Sequence, residues 1–300
     1  MSYANVTVIL SIFYGIPSVY LYFLTIFIVL RNRKTFDSSF FNLYIYDGLM
    51  NIFTYFIGLL FLRLPSVTCY DCLLAPVYRN IGKFISLHFV LAMIYHMAYV
   101  QYSLTTLVSL NRLSVLIKSN SFERMWKKYT WIIIILVYLV PFWNTRIVFR
   151  YPVEITCYEN VDQYTLLSLE LPVLDIFSVL IPFMILTMSM TIIFNIGSVL
   201  FLRGLNIQRK QAESKFLFIT IITCTVQFVG TMISVPLALV EVSPLFVQLS
   251  AMILPITSDA LSLIQPWLLI CFSGAMRKKV KATLGWKNTN NVQKVLSSTI

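Results

Sequence analysis

The sequence predicts an all-α membrane protein, a seven-transmembrane helix bundle with its N-terminus outside the cell and its C-terminus in the cytoplasm. Three observations support this prediction. The composition is too apolar for a soluble protein, the apolar residues form seven long runs, and the basic residues favour one side of those runs. Together they define the fold class before any motif is considered.

The composition excludes a soluble domain. Hydrophobic residues make up 58% of the chain, charged residues 12%, and the mean hydropathy is +0.80. Soluble domains carry about 25% charged residues, which this chain cannot supply to a water-facing surface. The net charge of +11 is spread over short segments between apolar runs. We therefore expect a lipid bilayer as partner and no nucleic acid.

Seven runs reach the roughly 20 apolar residues that a bilayer-crossing helix needs. They are Thr7–Leu30, Phe41–Leu62, Phe84–Leu110, Thr130–Val148, Leu171–Phe201, Phe216–Val240 and Gln248–Phe272. The first run is too long for a cleaved signal peptide and lacks a basic segment before it. These runs predict a seven-transmembrane domain over residues 1–272 and a cytoplasmic tail over residues 273–300.

The basic residues predict the orientation of the bundle. Of the 23 lysines and arginines, 18 follow odd-numbered spans, and such connections face the cytoplasm. The resulting orientation is opposite to that of insect-type odorant channels. It puts Asn5, in the triplet NVT, on the outside as a glycosylation candidate. After the last span, FSGAMRKKVKATLGW alternates basic and apolar residues and predicts a short amphipathic helix on the inner leaflet.

Three cysteines, Cys69, Cys72 and Cys157, fall on the predicted outer side, where disulfides persist. Three pairings are open, and one joining the first outer loop to the second would tie two helical hairpins together. The stretch CYDC could form half a zinc site, but a second cysteine pair does not follow it. We therefore expect no metal and no cofactor.

Several stretches spread over residues 36–280 resemble the nematode serpentine receptors of class gamma. They are FDSSFFNLYIYDGLMN, RLPSVTCYDC, NRLSVLIKSNSFERMWKKY, PFWNTRIVF, ESKFLFITIIT and SDALSLIQPWLLICFSGAMRKKV. The class V receptors are similar enough to be an alternative. The resemblance implies a chemosensory receptor in the plasma membrane, with sensory-neuron cilia as a location, that binds an extracellular small molecule and signals through a heterotrimeric G protein.

Two stretches resemble rhodopsin-like receptors more distantly. NRL, beginning at Asn111, stands where those receptors have an acid-Arg-aromatic triplet, and QPWLL, beginning at Gln265, stands where they have Asn-Pro-x-x-Tyr. The resemblance implies that Asn111 and Arg112 contact the G protein, or that Arg112 locks the inactive state. Asn111 replaces the usual acid, which argues against a lock on a neighbouring carboxylate. The alternative is an ordinary interfacial arginine.

Ionisable side chains within a span usually face the bundle interior. Asp47 and Gln265 lie at matching depths, about 9 and 10 Å from the inner ends of their spans at 1.5 Å per residue. With Asn51, one turn from Asp47, and Asp259 near mid-membrane, they predict a polar switch cluster, and Pro266 predicts a kink or hinge. The alternative for Asp47 is a packing residue without a switching role.

Ligand-binding candidates lie nearer the outer end. They are His88, Tyr95, His96, Glu170 and Asp175, which could line an outer pocket between the third and fifth spans. A histidine in an apolar helix is also a common packing residue.

The first functional hypothesis is a G-protein-coupled chemosensory receptor. The alternative is a transporter or channel, but the odd span count and the lack of a repeat argue against it. An enzyme is not expected, because the chain has two histidines and none of the motifs for a metalloprotease or a phosphate loop.

Overall fold

A computed structural model describes residues 3–158, 163–205, 207–239 and 243–285. Within these residues the chain forms ten α-helices and two strands. They are α1 (Tyr3–Arg31), α2 (Ser39–Gly58), α3 (Ala75–Asn80), α4 (Leu87–Ile117), α5 (Ser119–Leu139), α6 (Phe142–Thr145), β1 (Glu154–Tyr158), β2 (Gln163–Leu167), α7 (Val173–Arg203), α8 (Ile207–Leu239), α9 (Pro244–Phe272) and α10 (Gly274–Thr283). The bundle end at which α1 begins is called the N-face, and the end that carries α10 is called the C-face.

Six helical segments in the described part of the chain are long and apolar enough to cross a membrane by themselves. These segments coincide largely with α1, α2, α5, α7, α8 and α9. The seventh candidate is α4, which qualifies only when joined to α3 across a bend of 98°. A mostly helical membrane bundle with six to seven candidate spans is therefore confirmed.

The central position of α4 explains why it is less apolar than the other spans. It packs against α2, α5, α7 and α8, so that little of its surface faces lipid. A helix enclosed by other helices can carry polar residues that find partners inside the bundle. Gln101, Thr105 and Ser109 are all buried on α4.

The all-α prediction is wrong in one place, because β1 and β2 form an antiparallel hairpin before α7. Glu154 pairs with Leu167 and Tyr158 with Gln163 at its two ends. Along β2, Tyr164 and Leu166 are buried and Thr165 between them is exposed, as expected for a strand with one covered face. Two five-residue strands produce a much weaker periodic signal than a 20-residue span, and their sequence alone does not reveal them.

The hairpin and the first N-face loop form one cap. The Arg79 guanidinium donates from Nε to the Tyr164 hydroxyl at 3.0 Å, and the rings of Tyr78 and Tyr164 lie 6.0 Å apart. The Tyr78 hydroxyl donates to the Leu60 carbonyl at 2.9 Å. Burial raises the pKa of Tyr78 to about 12.

The disulfide lies within one loop. Cys69 and Cys72 are bridged, with Cα atoms 5.1 Å apart, and Cys157 is a free thiol. Of the three open pairings the structure thus forms the local one, so that no disulfide joins the two loops within the described residues. A turn in which the Cys72 amide donates to the Cys69 carbonyl at 3.2 Å brings these two cysteines together. The contact between Arg79 and Tyr164 joins the loops instead.

The C-face carries the short amphipathic helix α10. The Ser273 hydroxyl caps it by accepting from the Met276 amide. Met276 and Val280 are buried, whereas Arg277 and Lys278 are exposed. Residues 286–300 of the predicted tail lie outside the described residues.

Candidate ligand cavity and the polar chain beneath it

A cavity of about 510 Å³ opens among α1, α2, α4 and α9 in the half of the bundle nearer the N-face. Such a volume is within the usual range for small-molecule sites. The walls are mainly apolar, with Val8, Ile57 and Met97 among them. Polar groups are few and include Thr7, Thr54, Ser66, Gln101, Ser258 and Ser262. This mixture suits a largely apolar molecule with a small number of hydrogen-bonding groups.

One wall of the cavity holds a buried ion pair. Arg63 Nη2 lies 2.6 Å from Asp259 Oδ1, and the two side chains are 10% and 8% exposed. Ser11 completes the arrangement, because it accepts from Arg63 Nη1 at 3.0 Å and donates to Asp259 Oδ2 at 2.7 Å. Arg63 also donates to the Pro255 carbonyl at 3.2 Å. Each charge is neutralised inside the protein, so the pair adds no net charge to the cavity.

A π-helical turn directs Arg63 into the bundle. The last turn of the second span, Leu59–Arg63, is π-helical, and the Leu64 amide donates to the Leu59 carbonyl at 2.9 Å. The extra residue of a π-turn rotates the residues after it by about 100° relative to an α-helix. As a result Arg63 is buried whereas Leu62, its neighbour, is 48% exposed.

Below the cavity a chain of amides and hydroxyls crosses the bundle. Gln101 Nε2 donates to Asn51 Oδ1 at 3.2 Å and to Ser262 Oγ at 2.7 Å. Asn51 donates in turn to the Tyr22 hydroxyl at 3.3 Å. These four residues come from four helices, α1, α2, α4 and α9. The chain therefore connects every helix that lines the cavity.

The chain continues to Asp47, which is 3% exposed. The side chains of Asn51 and Gln265 interact with its carboxyl group, while Oδ2 has no hydrogen-bond partner within the described part of the chain. Three predicted switch residues are thus brought together. Asp259, the fourth, belongs instead to the ion pair with Arg63, because its position one turn before Ser262 turns it toward the cavity. Pro266 lies inside α9, next to Gln265.

A second ion pair lies at the C-face. Arg112 Nη1 lies 3.7 Å from Glu213 Oε2 and so joins α4 to α8. The guanidinium packs between Phe40 and Phe216, at 3.9 and 4.2 Å from the ring centroids. Arg112 is 6% exposed, which leaves it no surface for another protein in this arrangement. The residue beside Arg112 in sequence, Asn111, is not an acid. The carboxylate that pairs with Arg112 comes instead from Glu213, on a different helix.

Asn111 takes part in a separate contact. It donates to Ser39 Oγ at 2.8 Å, and Ser39 donates to Glu123 through its hydroxyl at 2.8 Å and its amide at 2.6 Å. Together these residues hold the start of α2 against α4 and α5 at the C-face.

The chain was compared with known proteins. A family model described as "Srg family chemoreceptor" matches residues 8–280, which is most of the chain. The chain belongs to the Srg chemoreceptor family. It is 27% identical over 286 residues to "Serpentine receptor class gamma-31" of Caenorhabditis elegans, which covers 89% of both chains. The resemblance to the class gamma receptors is confirmed.

Family membership and the helix count make this Srg receptor a chemosensory serpentine receptor and a multi-pass membrane protein. The family implies an extracellular ligand and does not favour the transporter or channel alternative. A chemoreceptor family also suggests a receptor rather than an enzyme. Among the described residues, no three histidine, cysteine or carboxylate side chains come together as a metal site would require.

The predicted ligand residues do not line the cavity of the Srg receptor. His96 is buried against the Phe142 ring at 4.2 Å, with Nδ1 3.3 Å from the Thr145 hydroxyl, and Tyr95 packs edge-on against Phe177. His88 is partly buried near the start of α4. The other two, Glu170 and Asp175, are exposed, as is the glycosylation candidate Asn5. The five residues thus lie apart from this cavity, and their role in ligand binding stays a prediction.

The candidates do not line the cavity because depth along a helix does not reveal which neighbour a side chain faces. Sequence reasoning placed them at the same end of the bundle as the cavity, but it could not show which residues they contact. It overlooked Arg63, Gln101 and Glu213. The sequence did contain a signal for Arg63. Arg63 ends one apolar run and Asp259 lies within another, and two opposite charges in such positions each need a partner inside the protein.

Proposed function

We propose that this Srg receptor binds an extracellular small molecule in the cavity beside Arg63 and Asp259 and couples to a heterotrimeric G protein at the C-face. The N-face is then extracellular and the C-face cytoplasmic, as the distribution of basic residues favours. The observation that carries the proposal is the buried pair of Arg112 and Glu213, at the opposite end of the bundle from the cavity. Both ends depend on α4, since Gln101 lines the cavity and Arg112 forms the pair.

The Arg112–Glu213 pair has the properties of a releasable contact. The guanidinium is enclosed, yet its Nε and Nη2 have no hydrogen-bond partner among the described residues. A buried donor without a partner costs about 1–3 kcal/mol, so this arrangement is stabilised less than a fully bonded one. A ligand that prefers the arrangement with α4 and α8 apart would expose Arg112 to the G protein.

Asp47, Asn51 and Gln265 are proposed to form the switch between the two ends, with Pro266 as the point at which α9 bends. They lie between the cavity and the Arg112 pair, and the incompletely bonded carboxyl group of Asp47 can change partners. Normal ligand-dependent signalling by an Asp47→Leu variant at normal surface expression would contradict this role.

The test replaces Glu213 by Gln in cells that co-express a promiscuous G protein. Loss of the charge weakens the hold on Arg112 and shifts the population toward the open arrangement, so we expect basal second-messenger output to rise by about fivefold or more. Output is normalised to receptor at the cell surface.

The matched control is Glu154→Gln, the same substitution at an exposed carboxylate of the hairpin near the N-face. It should leave basal output unchanged. Equal basal output from Glu213→Gln and wild type, at equal surface expression, would refute the coupling role of the pair.

A further inference from the structure

A second, smaller cavity adjoins the first. It measures about 140 Å³ and lies among α4, α7, α8 and α9. Ala98, Gln101, Leu254 and Ser258 line both cavities, so the two chambers share one wall. They thus form neighbouring parts of one cleft that crosses the bundle between α4 and α9.

The smaller chamber contains a buried amide without a partner. Gln227 of α8 is 0% exposed, and within the described residues neither its Nε2 nor its Oε1 has a hydrogen-bond partner. The neighbouring hydroxyl groups of Tyr102 and Thr231 form no hydrogen bond with this side chain. Their oxygens lie 2.8 Å from each other, and the Thr231 hydroxyl donates to the Gln227 backbone carbonyl. An amide in this position offers one acceptor and a donor group to whatever shares the chamber.

The charges of the cleft select against an ionic ligand. Arg63 and Asp259 are the charged residues that line the larger chamber, and they neutralise each other. The residues that line the smaller chamber carry no charge. An ion entering the cleft would lose its hydration without gaining a counter-charge.

We propose that the smaller chamber is the head-group site of the ligand cavity and that Gln227 recognises an uncharged hydrogen-bonding group, an amide or a hydroxyl, on a molecule with an apolar body. This inference rests on the proposed role of the larger chamber as the ligand site. It adds the chemical class of the ligand and a residue that determines specificity.

The position of Gln227 also connects the head group to the C-face. Gln227 and Glu213 are 14 residues apart on α8, about 21 Å along the helix axis. A hydrogen bond formed at Gln227 therefore acts on the same rigid element that holds Arg112.

The experiment measures equilibrium binding to the full chain purified in lipid nanodiscs. Four labelled probes share a ten-carbon chain and differ in the head group: decanamide, 1-decanol, decanoate and decylammonium. Nanodiscs without receptor correct for partitioning into lipid. We expect the two uncharged probes to bind wild type more tightly than the two ions.

The variants are Gln227→Leu and, in case it fails to fold, Gln227→Met. Loss of the amide should weaken decanamide and decanol binding about tenfold, as expected for the loss of one or two hydrogen bonds. The melting temperature should be at least that of wild type, because a buried unsatisfied amide is removed.

The matched control is Thr225→Val. Thr225 lies on the same helix as Gln227 but lines neither chamber, and its hydroxyl donates to the Ile221 carbonyl. Binding should stay unchanged in this variant.

Three outcomes would overturn the inference: tighter binding of either ion, no binding of any probe, or unchanged binding after loss of the Gln227 amide. Ile94→Trp, which fills the larger chamber, separates this failure from that of the proposed function. Probe binding that survives Gln227→Leu but is lost in Ile94→Trp would keep the cavity as the ligand site and remove the role of Gln227. The assay contains no G protein, so its result is independent of coupling.

Discussion

Many hydroxyl side chains inside the bundle are satisfied by their own helices. Ser18, Thr25 and Thr187 each donate to the carbonyl four residues earlier at 2.7 Å. Such local bonds let a hydroxyl face lipid or a neighbouring helix at small cost. A guanidinium or a carboxylate cannot be satisfied in this way. Arg63, Asp259 and Arg112 therefore need partners on other helices, and these residues make one helix arrangement preferable to others.

A glycine allows a close contact between α1 and α2. The position of a β-carbon at Gly15 of α1 coincides with the Tyr55 side chain, whose hydroxyl donates to the Ser11 carbonyl at 3.1 Å. We expect Gly15→Ala to destabilise the receptor by about 1–3 kcal/mol through overpacking, despite the better helix propensity of alanine. The melting temperature in detergent measures the effect.

Gly274→Ala is the control, because a β-carbon there meets nothing within 4 Å. Its effect should be within about 0.5 kcal/mol. If the Gly15→Ala receptor has the melting temperature of wild type, the Tyr55 side chain moves aside without cost and the prediction is wrong.

At the scale of whole helices, polar contacts hold α9 against the second and third spans. They include the Arg63–Asp259 pair, the bond from Gln101 to Ser262 and the contact of Gln265 with Asp47. The tryptophan of α9, Trp267, donates to Ser18 of α1 at 2.8 Å. Polar contacts between helices carry much of the specificity in lipid, because lipid tails are as apolar as the helix faces themselves.

Removing one member of the Arg63–Asp259 pair should cost far more than removing both. Arg63→Met or Asp259→Leu alone leaves an unpaired buried charge, at a cost of about 3–5 kcal/mol. The double variant removes both charges and should be more stable than either single variant. A double-mutant cycle of unfolding free energies measures the coupling.

The exposed pair of Lys127 and Asp37, at 2.9 Å with 33% and 73% exposed side chains, is the control. The same cycle with Lys127→Met and Asp37→Leu should give a coupling of about 0–1 kcal/mol. Additive losses at Arg63 and Asp259 would mean that the buried pair is not energetically coupled.

At the scale of the whole molecule, the Arg63–Asp259 and Arg112–Glu213 ion pairs stand at opposite ends of the bundle with a polar chain between them. Gln101, Asn51 and Asp47 connect the level of the cavity to the inner half. This arrangement has meaning for a receptor only if the two ends face different compartments.

The orientation can be tested directly with short epitope tags on both termini. We expect an antibody to reach the N-terminal tag on intact cells and the C-terminal tag only after permeabilisation, because the connections after odd-numbered spans hold 18 of the 23 basic residues. A tag within the cap at residues 70–71 should behave like the N-terminal one. Staining of the C-terminal tag on intact cells would overturn the proposed orientation.

Particular residues mark how far sequence reasoning reached into the site. The matching depths of Asp47 and Gln265 and the one-turn spacing of Asn51 were sufficient to predict that the three meet. Asp259 was assigned to the same cluster because depth alone was known, and its actual partner is Arg63. The partner of Arg112, Glu213, is about 100 residues away in sequence, where spacing carries no information.

What the sequence by itself determined is the class of molecule: a helical membrane bundle of the Srg chemoreceptor family with an amphipathic helix after its last span. The hydrophobic effect acts on whole 20-residue runs, so that composition and length are enough to specify it. Only the tertiary structure decided the hairpin cap, the local disulfide, the cavity and the pairing of the buried charges. Those features depend on which sides of different helices face each other, and in lipid that choice is made by a few short-range contacts between distant residues.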